Sequence, residues 1–185
     1  VHLRAYDEAV AHAAGRDVLD VGCNTGYGTV RFLPVARRVV GVDVSPGAID
    51  AARRRASGGR PEFILTSGFD LPFPDDSFDV VMAQYVVTAV PNPEAALDEF
   101  ARVVRPGGEL IILTRVSADD GLRRVIEQGL QPVVRRLGFR TAEFAWSRYA
   151  SWLSGANSVE LAERRLIPPL GHFSLVRIRK LVVSH

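Results

Sequence analysis

Lysine is almost absent from this 185-residue chain: Lys180 is the only one among 23 cationic side chains, the remainder being arginine. An arginine- and alanine-rich composition more often reflects genomic base composition than function. The net charge of +2 is mild for a protein that binds nucleic acid. Cysteine is nearly absent too; with Cys23 alone no intrachain disulfide can form, which fits a cytoplasmic protein. No apolar run approaches the roughly eighteen residues that a membrane span needs. No repeat, linker or low-complexity segment marks a second domain, and 47% hydrophobic with 24% charged residues is ordinary for one soluble globular domain. Also missing is a His-Asp pair or carboxylate dyad at a spacing that acid-base chemistry would demand, and no residues stand out as metal ligands.

What the chain does have is one organising stretch, Asp17 to Gly28. The β-branched run Val18 to Val21 stops at glycines and gives way to a weakly helical Tyr27 to Leu33, which reads as strand, tight turn and helix start. In an α/β sheet that is where a nucleotide-like ligand is held. Gly22 can take a backbone conformation closed to other residues, Gly26 clears room for a ligand to approach backbone, and Gly28 lets the helix pack on the strand. The loop is expected to present N–H groups at a helix N-terminus. About twenty residues on, Val39 to Asp43 is a strand ending in a carboxylate, as suits an acceptor for ribose hydroxyls. The spacing of Gly22, Gly26 and Gly28 is not the G-x-G-x-x-G of nicotinamide sites. Cys23, inside the loop, reads as a small packing residue rather than a catalytic thiol.

Strand and helix patterns then alternate. His2 to Ala14 reads as a helix, Pro34 shortens the one after the glycine loop, and Ser45-Pro46 caps a helix over Pro46 to Ser57 whose Arg53-Arg54-Arg55 run reads as a solvated end. Glu62 to Thr66, Phe78 to Ala83 and Glu109 to Thr114 read as strands, the last reached from a helix over Pro93 to Val104 through a turn at Arg105-Pro106-Gly107-Gly108. Asp119 to Leu137 has amphipathic helix spacing, and Val159 to Ile167 with Phe173 to Val182 reads as an antiparallel hairpin. The expected fold is α/β: a doubly wound seven-stranded Rossmann-like sheet, mostly parallel, with a C-terminal antiparallel hairpin. A ligand in such a sheet lies beyond the carboxyl ends of the strands. That rule selects Gly22 to Gly26, Asp43, Val44, Ser67, Gly68, Phe69, Gln84, Tyr85, Thr88, Thr114 and Arg115, together with the hairpin turn that carries His172.

Four segments in order, Val18 to Gly26, Gly41 to Pro46, Leu71 to Val81 and Val103 to Gly108, resemble the class I S-adenosylmethionine (SAM)-dependent methyltransferases of the type 11 kind. The resemblance implies SAM as cofactor and S-adenosylhomocysteine as product. It places Asp20 and Gly22 near the methionine end, Asn24 and Gly26 in the cofactor loop, Asp43 on the ribose and Val44 on adenine. Gln84 and Tyr85 occupy the place where that family lines the methionine and the transferred methyl. Asn24 stands where the family has a central glycine, and Ser67 where it often has an acid for the adenine amino group, a task left to Ser67, Gly68 and Phe69. Tyr85 is the candidate to orient an amine acceptor, and His172 the candidate base. The family usually carries an N-terminal segment over the substrate, so the expectation is one domain over 1–185 that lacks part of this cover, with His2 to Ala14 in its place.

Ala83 to Pro93, Arg115 to Gly121 and Glu163 to Arg179 are similar to a narrower group, the bacterial phosphatidylethanolamine N-methyltransferases of the soluble, peripheral type. That likeness implies a phospholipid acceptor and peripheral contact with the inner membrane surface. Trp146, Tyr149, Trp152 and Leu153 then either enter the interface, with Arg148 meeting anionic headgroups, or pack over the sheet edge. A small-molecule O-, N- or C-methyltransferase and a catalytically degenerate SAM-binding protein stay open beside it. A nucleic-acid partner is not expected, since Gln84-Tyr85-Val86-Val87 replaces the Asn/Asp-Pro-Pro-Tyr/Phe motif after the fourth strand.

Overall fold

Short β-branched and aliphatic runs form the strands of the computed structural model, which describes residues 2–56, 61–117, 144–167 and 173–182. The first half comprises α1 (His2–Ala11), β1 (Asp17–Val21), a 3-10 turn (Thr29–Phe32), β2 (Arg38–Asp43), α2 (Pro46–Arg55) and β3 (Glu62–Leu65). After these come β4 (Phe78–Gln84), α3 (Val86–Ala89), α4 (Pro93–Val103) and β5 (Val104–Ser117). The chain continues with β6 (Phe144–Ala145), α5 (Trp146–Gly155), β7 (Val159–Ile167) and β8 (Phe173–Lys180). Seven strands lie in the order β3-β2-β1-β4-β5-β8-β7, and the two-residue β6 pairs with β5 off that path. β8 is antiparallel to both its neighbours, while the other pairs are parallel. This is the mostly parallel sheet with a C-terminal antiparallel hairpin that the sequence predicts.

Alternation along each strand sorts side chains onto two faces. Leu19, Val21, Val40, Val42, Val81 and Ala83 meet α4 and α5 on one face; Val18, Val39, Val80 and Met82 meet α1 and the 3-10 turn on the other. α2 covers the β2-β3 end through Ile49 and Ala52 against Cys23 and Phe63. Both long helices that follow a cap begin as read: Ser45 Oγ accepts from Ala48 N at 3.3 Å, and Asn92 Oδ1 from Ala95 N at 3.3 Å, each before a proline at the first helical position.

Several details differ from the reading. The arginine run of α2 is not simply solvated: Arg55 Nε donates to Thr25 O at 2.9 Å with its guanidinium over the Tyr27 ring, and Arg53 Nη2 donates to Phe63 O at 2.8 Å. The expected turn at Arg105 to Gly108 is a bulge inside β5, whose pairing jumps from Phe78↔Val104 to Val80↔Glu109 with Gly107 at φ 79°. Of the two readings of the segment with Trp146, packing over the sheet accounts for its most buried aromatics. Tyr149 is fully buried, Trp152 is 9% exposed with its indole N–H donating to Asp98 Oδ1 at 2.7 Å, and Arg148 grips Glu94 at 2.6 Å. α5 therefore packs against α4 over the sheet, its aromatics serving the core. The expected helix over Asp119 to Leu137 and the turn with His172 lie outside the described residues.

Candidate functional site

Parallel β1 to β4 end at one edge of the sheet, and a cavity of about 800 Å³ opens there. Gly22, Asn24 and Thr25 line it after β1, Asp43 and Val44 after β2, Ser67, Gly68 and Phe69 after β3, and Gln84 and Tyr85 after β4. α3 adds Val86 and Ala89, with Val90 and Pro91 beyond them, and α1 adds Tyr6. Among the described residues of the lining, Asp43 is the one charged side chain.

The loop after β1 is held shut upon itself. Gly22 N and Cys23 N donate to Val42 O, Asn24 N to Asp43 Oδ2 at 2.9 Å, Thr25 N to Asn24 Oδ1 at 2.7 Å, and Gly26 N to Cys23 O. The amides of Gly22 to Gly26 thus already have partners within the protein, whereas Tyr27 and Gly28, at the end of the loop, line the cavity ahead of a single 3-10 turn. Gly22 is required where it stands: its φ is +70°, and a Cβ there would lie 2.6 Å from Val86 Cγ2. Asn24 takes φ +50°, a left-handed conformation that asparagine tolerates better than most residues, in the family's glycine position.

Asp43 joins the loop to the start of α2, since its other oxygen accepts from Ser45 N at 2.9 Å. A carboxylate has about four lone-pair sites, so each oxygen keeps a position for a hydroxyl. Val44 beside it is 73% exposed, an apolar surface that water covers poorly. Tyr85 is held at φ +61°, unusual for an aromatic residue, with its ring edge-on to Phe173 at 5.6 Å. Such strain clusters at sites where a side chain must point in one direction.

Two predicted site residues stand one layer behind the wall. Gly26 faces α2, where a Cβ would lie 3.0 Å from Ala52 Cβ. Asp20 is fully buried and accepts from Thr29 Oγ1 at 2.6 Å and from the Tyr6 hydroxyl at 3.2 Å. Burial pushes its carboxyl up to about 7 against the lowering effect of those two donors. Burial first, then Asp20 and Asp43, push the Cys23 thiol up, so it is no nucleophile. The strand-end rule did not select Thr66, Val86, Ala89, Val90 or Pro91, which follow in sequence from selected strands, nor Tyr6, for which nothing local in α1 signals a contact with β1 fourteen residues on.

A mostly parallel sheet with an antiparallel last strand and a cavity at its carboxyl edge, walled by a glycine loop and a strand-end carboxylate, is the Rossmann-like architecture, whose ligands lie at that edge. Residues 19–112 match the methyltransferase domain family, and the chain belongs to it. It is 32% identical over 179 residues to a phosphatidylethanolamine N-methyltransferase of Cereibacter sphaeroides, covering 93% of this chain and 84% of that one. A demethylmenaquinone methyltransferase of Clavibacter sepedonicus is 39% identical over 109 residues, 58% of this chain and 44% of that relative, so the chain matches less than half of its length. The Haloferax volcanii chain solved in complex with the Trm112 methyltransferase activator superposes with a TM-score of 0.79 at 19% identity, over 98% of this chain and 91% of that one, which shows the shared fold. Family and fold imply SAM as methyl donor. The residues fit it: Asp43 keeps acceptor positions for ribose hydroxyls, and Val44 offers an apolar face beside them.

Proposed function

We propose that this chain moves the methyl group of SAM to the amine of a phosphatidylethanolamine-type phospholipid. The observation that carries the acceptor is the match to the Cereibacter sphaeroides enzyme, which runs through most of both chains. The bound donor supplies an electrophilic methyl and a neutral thioether leaving group, so the protein's contribution is mainly alignment, worth up to about 7–11 kcal/mol in favourable cases. Asp43 holds the ribose, Val44 the adenine face, Ser67 to Phe69 the adenine edge, and Gln84 the methionine end. Val86, Ala89, Val90 and Pro91, which also line the cavity, make a largely apolar acceptor wall. Such a wall disfavours the protonated amine and so favours the form that can attack. Tyr85 beside it accepts a hydrogen bond from the amine, and His172 is the base that takes its proton.

Replacing Tyr85 by phenylalanine is expected to leave donor affinity unchanged in calorimetry and to lower turnover by about ten-fold, the worth of one hydrogen bond. Equal turnover would remove the phenol from the mechanism. The acceptor itself is tested by incubating the protein with SAM and vesicles of phosphatidylethanolamine, or of phosphatidylcholine alone, and reading headgroup masses. Methylated headgroups from the first vesicles alone are expected; none would overturn the lipid reading. The identity to the Clavibacter sepedonicus enzyme favours a second acceptor, a demethylmenaquinone ring carbon, and methylation of that quinone with no change in the phospholipid would establish it instead.

A further inference from the structure

The last residue of the arginine run in α2 is directed at the glycine loop. α2 holds that loop at three levels. At its start, Ser45 N and Asn24 N donate to the two oxygens of Asp43. At its middle, Ala52 lies so close to Gly26 that a Cβ on the glycine would come within 3.0 Å of the alanine methyl. At its end, Arg55 Nε donates to Thr25 O at 2.9 Å, and the guanidinium lies over the Tyr27 ring, 5.5 Å from its centre. This third hold bears on two residues, Thr25 and Tyr27, that line the cavity.

Tyr27 needs such a hold. Gly26 and Gly28 on either side of it offer no side chain to pack against, and the residue is 51% exposed although it forms part of the wall. Tyr6, across Gly28, is fixed from within, its hydroxyl on Asp20 and its ring edge on Phe32. For Tyr27 the corresponding task falls to a cation from outside. A planar guanidinium covers the face of an aromatic ring, and one whose Nε is bonded to the carbonyl two residues earlier keeps its register over that ring. We propose that Tyr27 is a ligand-contacting side chain of the cavity and that Arg55, which does not itself line it, is the positioning residue that holds the ring in place. The inference rests on the reading of the chain as a SAM-dependent methyltransferase. The loop that carries the ring is bonded to Asp43, the candidate acceptor for the ribose, so the ring meets parts that donor and product have in common and Arg55 governs the affinity for both.

The ring contact can be separated from the carbonyl bond. Arg55→Gln carries an amide nitrogen at the place of Nε, which retains a donor for Thr25 O, but it loses the flat cation over the ring. Arg55 is exposed, so its replacement leaves the core intact. In calorimetric titrations with SAM and with S-adenosylhomocysteine, Arg55→Gln is expected to weaken both by about five-fold. Tyr27→Leu is expected to weaken both at least as much. Tyr27→Phe, which keeps a ring beneath the guanidinium, is expected to bind both more tightly than Tyr27→Leu. In the Tyr27→Leu background Arg55→Gln is expected to change neither affinity by more than about two-fold, because the group it acts through is gone. A residue that merely stabilised the end of α2 would cost the same in both backgrounds. That result, an Arg55→Gln affinity equal to wild type, or a Tyr27→Phe no better than Tyr27→Leu overturns the inference and leaves the methyltransferase reading in place. Binding of neither nucleoside by the wild type overturns that reading and this inference with it.

Discussion

Gly28→Ala is expected to destabilise the protein by about 2–4 kcal/mol, an unusual cost for one methyl group. A Cβ at this position would lie 1.8 Å from Tyr6 Cζ and 2.2 Å from Cε2, so ring and methyl cannot both stay. Backbone conformation is not the obstacle, because Gly28 sits at φ −74°, which alanine adopts freely. The ring cannot retreat cheaply either. Its hydroxyl bonds Asp20, its edge meets Phe32 at 5.9 Å, and α1 is tied down by Asp7 to Arg31, Glu8 to Arg165 at 2.6 Å and His12 to Glu109 at 2.8 Å. Overpacking costs about 1–3 kcal/mol, and expelling the ring leaves Asp20 one donor short in the interior. Urea unfolding of wild type, Gly28→Ala, Tyr6→Ala and the double variant measures this directly. In the Tyr6→Ala background the extra methyl is expected to be neutral within about 0.5 kcal/mol. An equal cost in both backgrounds would show that the ring is not the cause.

That pair marks the boundary of what the sequence discloses. Strands announce themselves through local composition, and Asp43 and the Gly22 turn were legible because the carboxyl ends of parallel strands must share an edge. Tyr6 has no such signature: an aromatic residue on α1 and a missing Cβ at Gly28 become one feature only when the chain brings them together. The same limit explains α5. Trp146, Tyr149 and Trp152 have a helical spacing that serves a membrane surface or a core equally well, and the answer lay with partners far along the chain, Asp98 and Glu94 on α4. The glycine loop is legible only in part: its composition suggests free amides, whereas those of Gly22 to Gly26 meet acceptors that include Asp43 and the Asn24 side chain, partners that composition does not announce.

On the proposed reading Asp43 has two tasks, and Asp43→Ala is expected to lower the affinity for SAM by about ten- to a hundred-fold, roughly 1.4–3 kcal/mol. One part of the loss is the acceptor for ribose hydroxyls that would otherwise enter an unmatched site. The other is the clamp between loop and helix, since Asn24 N and Ser45 N lose their common partner and Asn24, already in a left-handed conformation, loses what holds it there. Asp43→Asn separates the two. Its one carbonyl oxygen can serve a backbone N–H or a hydroxyl but offers fewer acceptor positions than the carboxylate, so an intermediate affinity is expected. Donor and product share the ribose, so both should weaken in Asp43→Ala when titrated by calorimetry. Unchanged affinity in Asp43→Ala would remove this carboxylate from the site, and with it the geometric basis for placing the donor at the carboxyl end of β2.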